Sequence, residues 1–420
     1  MSSVDTPAQQ PQSSITDMQA MASTRLPFRN KNMNYFFMDV LGSAVYGGAA
    51  PGECYTAAER VKDGDIDFWT IAFRDLAIMV EAQAQQALTA GHLASAQERF
   101  LRAARYYFTG DHYTFEGRPY YHVLWQKSVE CFRRAAALAD PPIEPVEIPY
   151  EGRQLPGYLL RHDQTRKPRP TLLAMSGFDG SAETLYFSIG AGAARRGYNV
   201  LMFEGPGQRD AIQMYPDWPF RPDYEKPISA AVDYALSRPE VDPERLALMG
   251  FSFGGHLALR GAAYDQRIKA LIADAPCPNF GALLLAAFPF EFRHLPPDAM
   301  DAAMAEERPQ MSGPQRASLE LLYRSMGTQQ ASTLLQRLAA YHFTDLQRIT
   351  CPTLSLVSEG EGETAVEWAR DFHHTIPAQY KTLRVFTARE GADAHCQLNN
   401  LALLNNTVCD WLDDLWDIRK

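Results

Sequence analysis

What the 420-residue sequence lacks narrows its chemistry first. Its six cysteines, Cys54, Cys131, Cys277, Cys351, Cys396 and Cys409, form no CxxC pair. That scatter supplies neither a cysteine-built zinc site nor a disulfide framework. There is no run of Lys or Arg, and the formal net charge is −10 with a pI near 5.5. Phosphate backbones need a basic face, so no nucleic-acid partner is expected. No stretch approaches the length of uninterrupted apolar residues that a membrane span needs, so no membrane partner is expected either. The first 25 residues, rich in Ser, Gln and Pro, lack a basic n-region and an apolar h-region. They read as a flexible tail rather than a secretory signal. The expectation is a cytoplasmic protein with reduced thiols. "FEGPGQRD" (203–210) has no GK[ST] and is no phosphate loop, and no motif calls for a metal or a cofactor.

What is present is a large apolar fraction, 46% of residues, enough for an extensive core and more than one unit. From residue 31 to 142 the apolar positions recur at helical spacing. "DFWTIAFRDLAIMVEAQAQQALTAG" reads as a long amphipathic helix beginning near Asp67 and stopping at Gly91. "HLASAQERFLRAARYYFTGD" and "YYHVLWQKSVECFRRAAALAD" read as two more, without a clean repeat. Pro141-Pro142 ends this helical cap, and the period changes after it. Residues 143–162 read as two strands turning at Glu151-Gly152. Six short apolar runs follow, at 169–177, 199–205, 245–250, 268–276, 351–358 and 381–388, most of them separated by helical stretches. This alternation predicts an α/β fold, a mostly parallel sheet covered on both faces. Residues 143–420 therefore form the sheet domain, preceded by the cap and by a tail over residues 1–30. The interval from about 277 to 350 is helix-leaning and too long for a simple crossover. Such an insertion sits over the strand ends, and it is expected to be a lid.

Within this frame Gly250-Phe251-Ser252-Phe253-Gly254 is a G-x-S-x-G with a strand before it and a helix start after it. The glycines permit the tight turn that lifts a serine above a sheet, so Ser252 is the candidate nucleophile. A nucleophilic serine needs a base, a group to orient the base, and donors for the oxyanion. His395, in the loop after the last strand, has the chain position of a base. The other histidines fit less well: His256 lies on the elbow helix, and His373 and His374 lie in the preceding helix. The acid belongs in the "EGEGE" loop, where Glu361 is the first choice and Glu359 and Glu363 flank it. Asp274, at the end of the preceding strand, is the alternative. The oxyanion donors are expected to be the backbone N–H groups of Phe253 and Phe178.

"GFSFGG", "SGFDGSAET", "FEGPGQRD" and "AHC" together resemble the α/β-hydrolase superfamily. The likeness is strongest to the branch holding 2,6-dihydroxypseudooxynicotine hydrolase and the fungal heptaketide hydrolases of pigment pathways, and it spans the chain from about residue 35 onward. It implies the α/β-hydrolase fold with the N-terminal helices closing over the site, and Ser252, His395 and the 359–363 loop as nucleophile, base and acid. Relatives usually place Asp at the acid position, where this loop offers only Glu. The resemblance also implies a homodimer and cleavage of a C–C bond in a small-molecule β-dicarbonyl, polyketide-like or aryl ketone substrate. A carboxylesterase or thioesterase, an acyltransferase or cyclase, and an inactive small-molecule-binding protein are the alternatives on the same fold. "FEGPGQRD" reads as a structural turn rather than a catalytic element.

Overall fold

The computed structural model describes residues 27–418, so most of the expected N-terminal tail, residues 1–26, lies outside the described residues. Five α-helices open the described residues: α1 (Lys31–Gly42), α2 (Pro51–Ala58), α3 (Ile66–Thr89), α4 (Leu93–Asp111) and α5 (Val123–Ala137). The start of α3 follows from Asp65, whose carboxylate accepts the N–H groups of Asp67 and Phe68. Such a cap stabilises a helix by about 1 kcal/mol. Its stop is Gly91, at φ +80°, a conformation that glycine adopts without steric cost.

The remainder builds one eight-stranded sheet in the order β1-β2-β4-β3-β5-β6-β7-β8. β1 (Glu144–Tyr150) and β2 (Arg153–Leu160) form the hairpin read from the sequence, with Glu151 and Gly152 both at positive φ in the turn. β2 runs antiparallel to β4 (Asn199–Phe203). β4, β3 (Arg169–Met175), β5 (Val241–Phe251), β6 (Ala270–Asp274), β7 (Thr353–Ser358) and β8 (Lys381–Phe386) are mutually parallel.

Strand periodicity splits the core in two. Leu172, Ala174, Val200, Met202, Ala247 and Met249 face the cluster that includes α1–α5 and the C-terminal helix Leu401–Leu415. Their neighbours Leu173, Met175, Leu201, Phe203, Leu246 and Leu248 face the elbow helix Phe253–Tyr264, the helix Glu225–Leu236 and the helices of residues 277–350. Alternate side chains of a strand point to opposite faces, so this division follows from a period of two. The N-terminal helices thus share an apolar core with one face of the sheet. A buried ion pair, Arg209–Asp111, ties α4 to the turn after β4.

The 277–350 insertion is helical, with segments Phe280–Ala286, Phe290–Arg293, Pro297–Glu307, Gly313–Met326 and Ala331–Ala339. No helix among the described residues is long and apolar enough to cross a membrane. All six cysteines are free thiols.

Candidate active site

β5 ends at Phe251 and the elbow helix begins at Phe253, leaving Ser252 between them at φ 56° and ψ −122°. A non-glycine residue in this region is strained, and such strain persists only where its surroundings fix it. Those surroundings are glycines. A Cβ on Gly250 would lie 2.0 Å from the Gly254 carbonyl oxygen, and one on Gly254 would lie 2.5 Å from that of Ser176. The Ser252 N–H donates to the Asp274 carbonyl and its own carbonyl accepts from Gly255 N–H, which close the turn.

Ser252 Oγ donates to His395 Nε2 at 2.8 Å, and His395 Nδ1 donates to Glu361 Oε2 at 2.8 Å. Three loops, after β5, β7 and β8, therefore converge on one hydrogen-bonded chain. Glu361 ends a single 3-10 turn, Glu359–Glu361, and its second oxygen accepts the Ser358 N–H at 3.1 Å. The turn reaches the histidine loop because Gly360 has no side chain: a Cβ there would stand 2.4 Å from the Asp393 carbonyl oxygen. This is the loop course that lets the longer glutamate meet the imidazole. Glu359 instead accepts the Ala388 N–H, and Glu363 begins the next helix. Asp274 makes no hydrogen bond to His395. Its Oδ1 accepts from Gln397 Nε2 at 3.2 Å, and Gln397 also donates to Ser358 Oγ, bracing the histidine loop against β6 and β7.

The electrostatics separate these groups. Burial disfavours the His395 cation, but the Glu361 carboxylate, with Asp274 and Asp179 further off, outweighs it and lifts the pKa to about 9. Burial, reinforced by Glu361, pushes Asp274 up to about 7. His256 is held down to about 4 by burial and bonds through Nδ1 to the Cys277 carbonyl, so it is a neutral packing residue. Cys396 follows His395 with its Sγ 3.6 Å from Nε2, and burial raises the thiol well above its ordinary value, leaving it protonated and a poor nucleophile.

Phe253 is the first residue of its helix, so its N–H has no acceptor within that helix. The loop carrying Phe178 lies against it: a Cβ on Gly177 would be 3.1 Å from Phe253 N, and the two phenyl centroids are 5.2 Å apart. Gln208 pins this loop by donating to the Ser176 carbonyl at 2.6 Å while accepting the Gly205 N–H at 2.7 Å. The Gly-Pro-Gly-Gln turn is thus a brace for the Phe178 loop. Arg209 adds the ion pair to Asp111, and Asp210 accepts from Trp125 Nε1 at 2.6 Å.

A cavity of about 150 Å³ opens at Ser252 and His395. Phe178, Phe280, Leu284 and Leu322 make it largely apolar, and Tyr35, His112, Tyr113 and Asp179 supply its polar wall. It shares His112 and Leu321 with a wider vestibule of about 610 Å³ that runs past Tyr121, Arg308 and Arg324. Tyr113 reaches the cavity, whereas Tyr106 and Tyr107 bond Glu53 and Glu81. Sequence reasoning missed Tyr35, His112 and Asp179. Only Asp179 carried a signal, its place in "SGFDG".

Among the described residues one group has metal-ligand spacing, Glu183, Glu204 and Asp210, all buried. Their oxygens already accept from Tyr158, Ser181, Trp125 and the N–H groups of Ala182, Asp210 and Ala211. Burial, with the Glu183 charge, pushes Glu204 up to about 8 and Asp210 well above its usual range. The donor set is that of carboxyls sharing protons inside the fold.

This strand-elbow-helix arrangement defines an α/β hydrolase, and the comparisons agree. The chain matches the Alpha/beta hydrolase family over residues 175–396 and belongs to it. It is 30% identical to an α/β hydrolase of Penicillium citrinum, over 91% of this chain and 95% of that one. It is 37% identical to the 20-hydroxy-prefusarin hydrolase of Gibberella moniliformis, over 60% of this chain and 62% of that one. The crystal structure of 2,6-dihydroxy-pseudo-oxynicotine hydrolase shares the fold with a TM-score of 0.68 at 22% identity, covering 89% of this chain and 95% of that one.

Proposed function

We propose that this hydrolase works through an acyl-enzyme on Ser252 and cleaves a C–C bond of a 1,3-dicarbonyl or aryl ketone substrate. The observation that carries the reading is the unbroken chain Ser252–His395–Glu361, with both bonds at 2.8 Å. His395 takes the Ser252 proton as Oγ attacks the carbonyl, and the Phe253 and Phe178 N–H groups hold the oxyanion. His395 then protonates the leaving carbon, and water releases the acid from the serine. The apolar lid side of the cavity and its polar cap side suit a substrate with a hydrophobic body and adjacent oxygens. The 20-hydroxy-prefusarin and 2,6-dihydroxy-pseudo-oxynicotine hydrolases support a polyfunctional organic substrate of this kind.

The test is a panel of aryl 1,3-diketones and p-nitrophenyl esters. Wild type should convert a diketone to a carboxylic acid and a methyl ketone, and Ser252→Ala should not. Diketone cleavage surviving in Ser252→Ala would overturn the nucleophile. Turnover of esters alone would make the protein a carboxylesterase.

The same reading includes a homodimer. Phe68, Ile71, Ile78 and Met79 line one face of α3 and are 50%, 36%, 51% and 48% exposed, an apolar stripe suited to a second copy. Light scattering should give twice the mass of one chain, and Ile78→Asp should halve it. A monomeric wild type would overturn this part.

A further inference from the structure

Tyr35, on α1, is a phenol placed beside the reacting groups. Its ring centroid is 6.3 Å from that of His395, and it is 7% exposed. It lines the larger lobe of the cavity with Phe280 and Leu284, and a smaller lobe with Ser176, Asp179 and Cys396. Both lobes touch Ser252 and His395. Buried phenols generally find a hydrogen-bond partner. Tyr106, Tyr113, Tyr158 and Tyr224 do so, on Glu53, Asn32, Glu183 and Gln208. The Tyr35 hydroxyl has none among the described residues, so its donor is available to whatever occupies the cavity. Burial, followed by the charges of Asp179, Cys396, Asp39 and Glu361, holds its pKa far above the usual phenol value. The group therefore remains an O–H donor throughout the working pH range. Asp179, on the same wall, only accepts when ionised.

We propose that Tyr35 is a further catalytic residue, whose O–H donates to the second carbonyl oxygen of the 1,3-dicarbonyl substrate. The inference rests on the C–C cleavage read above. Attack forms the Ser252 Oγ–C bond while the serine proton passes to His395 Nε2. The bond between the attacked carbonyl carbon and its CH₂ neighbour then breaks. Its electron pair spreads over that carbon and the second carbonyl oxygen, giving an enolate. Charge collects on this oxygen two carbons away from the attacked carbonyl, beyond the reach of the Phe253 and Phe178 N–H pair. Tyr35 stabilises it without giving up its proton, and the proton held by His395 goes to the carbon. The products are the acyl-serine and a methyl ketone. An ester with a good leaving group has no such oxygen and needs no such donor.

The test is Tyr35→Phe, assayed on 1-phenyl-1,3-butanedione, on p-nitrophenyl acetate and for the rate of Ser252 phosphonylation by a fluorophosphonate. Loss of one donor to a developing oxyanion should lower kcat on the diketone by about 10²-fold. The fall in ester turnover and in phosphonylation rate should be at least about tenfold smaller than the fall on the diketone, and the thermal midpoint should not fall, because the variant removes an unpaired hydroxyl. Full diketone activity in Tyr35→Phe overturns the proposal. So does a parallel loss on ester and diketone, which would make Tyr35 a packing residue of the site. A wild type that is phosphonylated yet inert to 1,3-diketones overturns both this role and the C–C reading, while leaving the acyl-enzyme intact. A wild type that is not phosphonylated at all sinks the underlying mechanism instead.

Discussion

Replacing Glu361 by Gln tests the assignment that was least determined by the sequence. In the native site the carboxylate does two things at once. One oxygen accepts from His395 Nδ1 and the other from Ser358 N–H. A glutamine can satisfy one donor with its oxygen, but its NH₂ must then face the other. The charge is lost in either orientation. The His395 pKa of about 9 stands against an ordinary 6.5. That gap corresponds to about 3 kcal/mol of imidazolium stabilisation at 1.36 kcal/mol per pH unit. If most of it acts in the transition state, where the imidazolium forms, kcat/KM should fall by about 300-fold. The sign of the pH effect follows. His395 must be neutral to act as a base, so wild-type kcat/KM should rise with pH up to the raised pKa near 9. In Glu361→Gln that rising limb should move down, because burial then disfavours the cation with only Asp274 and Asp179 opposing it. Asp274→Asn should move the limb down less than Glu361→Gln does, because Asp274 bonds Gln397 and reaches His395 only through its charge. Profiles of p-nitrophenyl ester hydrolysis for the three proteins decide the matter. A Glu361→Gln enzyme with wild-type rate and limb, beside an inactive Asp274→Asn, would refute the reasoning and make Asp274 the acid.

Three further outcomes follow from the same geometry. Gly254→Ala places a methyl 2.5 Å from the Ser176 carbonyl oxygen, so it should move the elbow and lower turnover by at least about 10²-fold; normal kinetics would mean the turn is not held as described. Asp111→Asn leaves the buried Arg209 cation without its counter-charge, and chemical denaturation should show a loss of about 3–5 kcal/mol; an unchanged midpoint would contradict the pairing. Glu204 is raised to about 8, so its protonated form favours the fold, and stability from this group is lost as pH climbs from its ordinary 4.5 through 8. The melting temperature of Glu204→Gln relative to wild type should therefore improve steadily over that interval, and a pH-independent difference would refute the shared-proton account.

The sheet and the elbow were legible because their causes are local. Short apolar runs at 169–177 and 245–250 predict strands, and a serine between glycines at a strand end predicts the turn. Glu361 was a choice among three loop glutamates and Asp274 because loop course depends on contacts distant in sequence, such as that of Gly360 with the Asp393 carbonyl. Apart from Asp179 in "SGFDG", the polar wall of the cavity was not legible. Tyr35 and His112 come from α1 and the end of α4, and only the packing of those helices on the sheet brings them to Ser252. Their sequence surroundings, "NYFFMD" and "GDHYTF", look like ordinary helix packing. The bracing role of Gln208 could be suspected from the turn but not its target, Ser176, which lies 32 residues earlier.

The central claim is that Ser252 is an activated nucleophile relayed through His395. Intact mass after incubation with a fluorophosphonate tests it most directly, on wild type, Ser252→Ala and His395→Ala. The account predicts a single adduct on wild type, none on Ser252→Ala, and a greatly slowed one on His395→Ala. An adduct that persists in Ser252→Ala, or a folded wild type that stays unmodified even by a small sulfonyl fluoride, would contradict it.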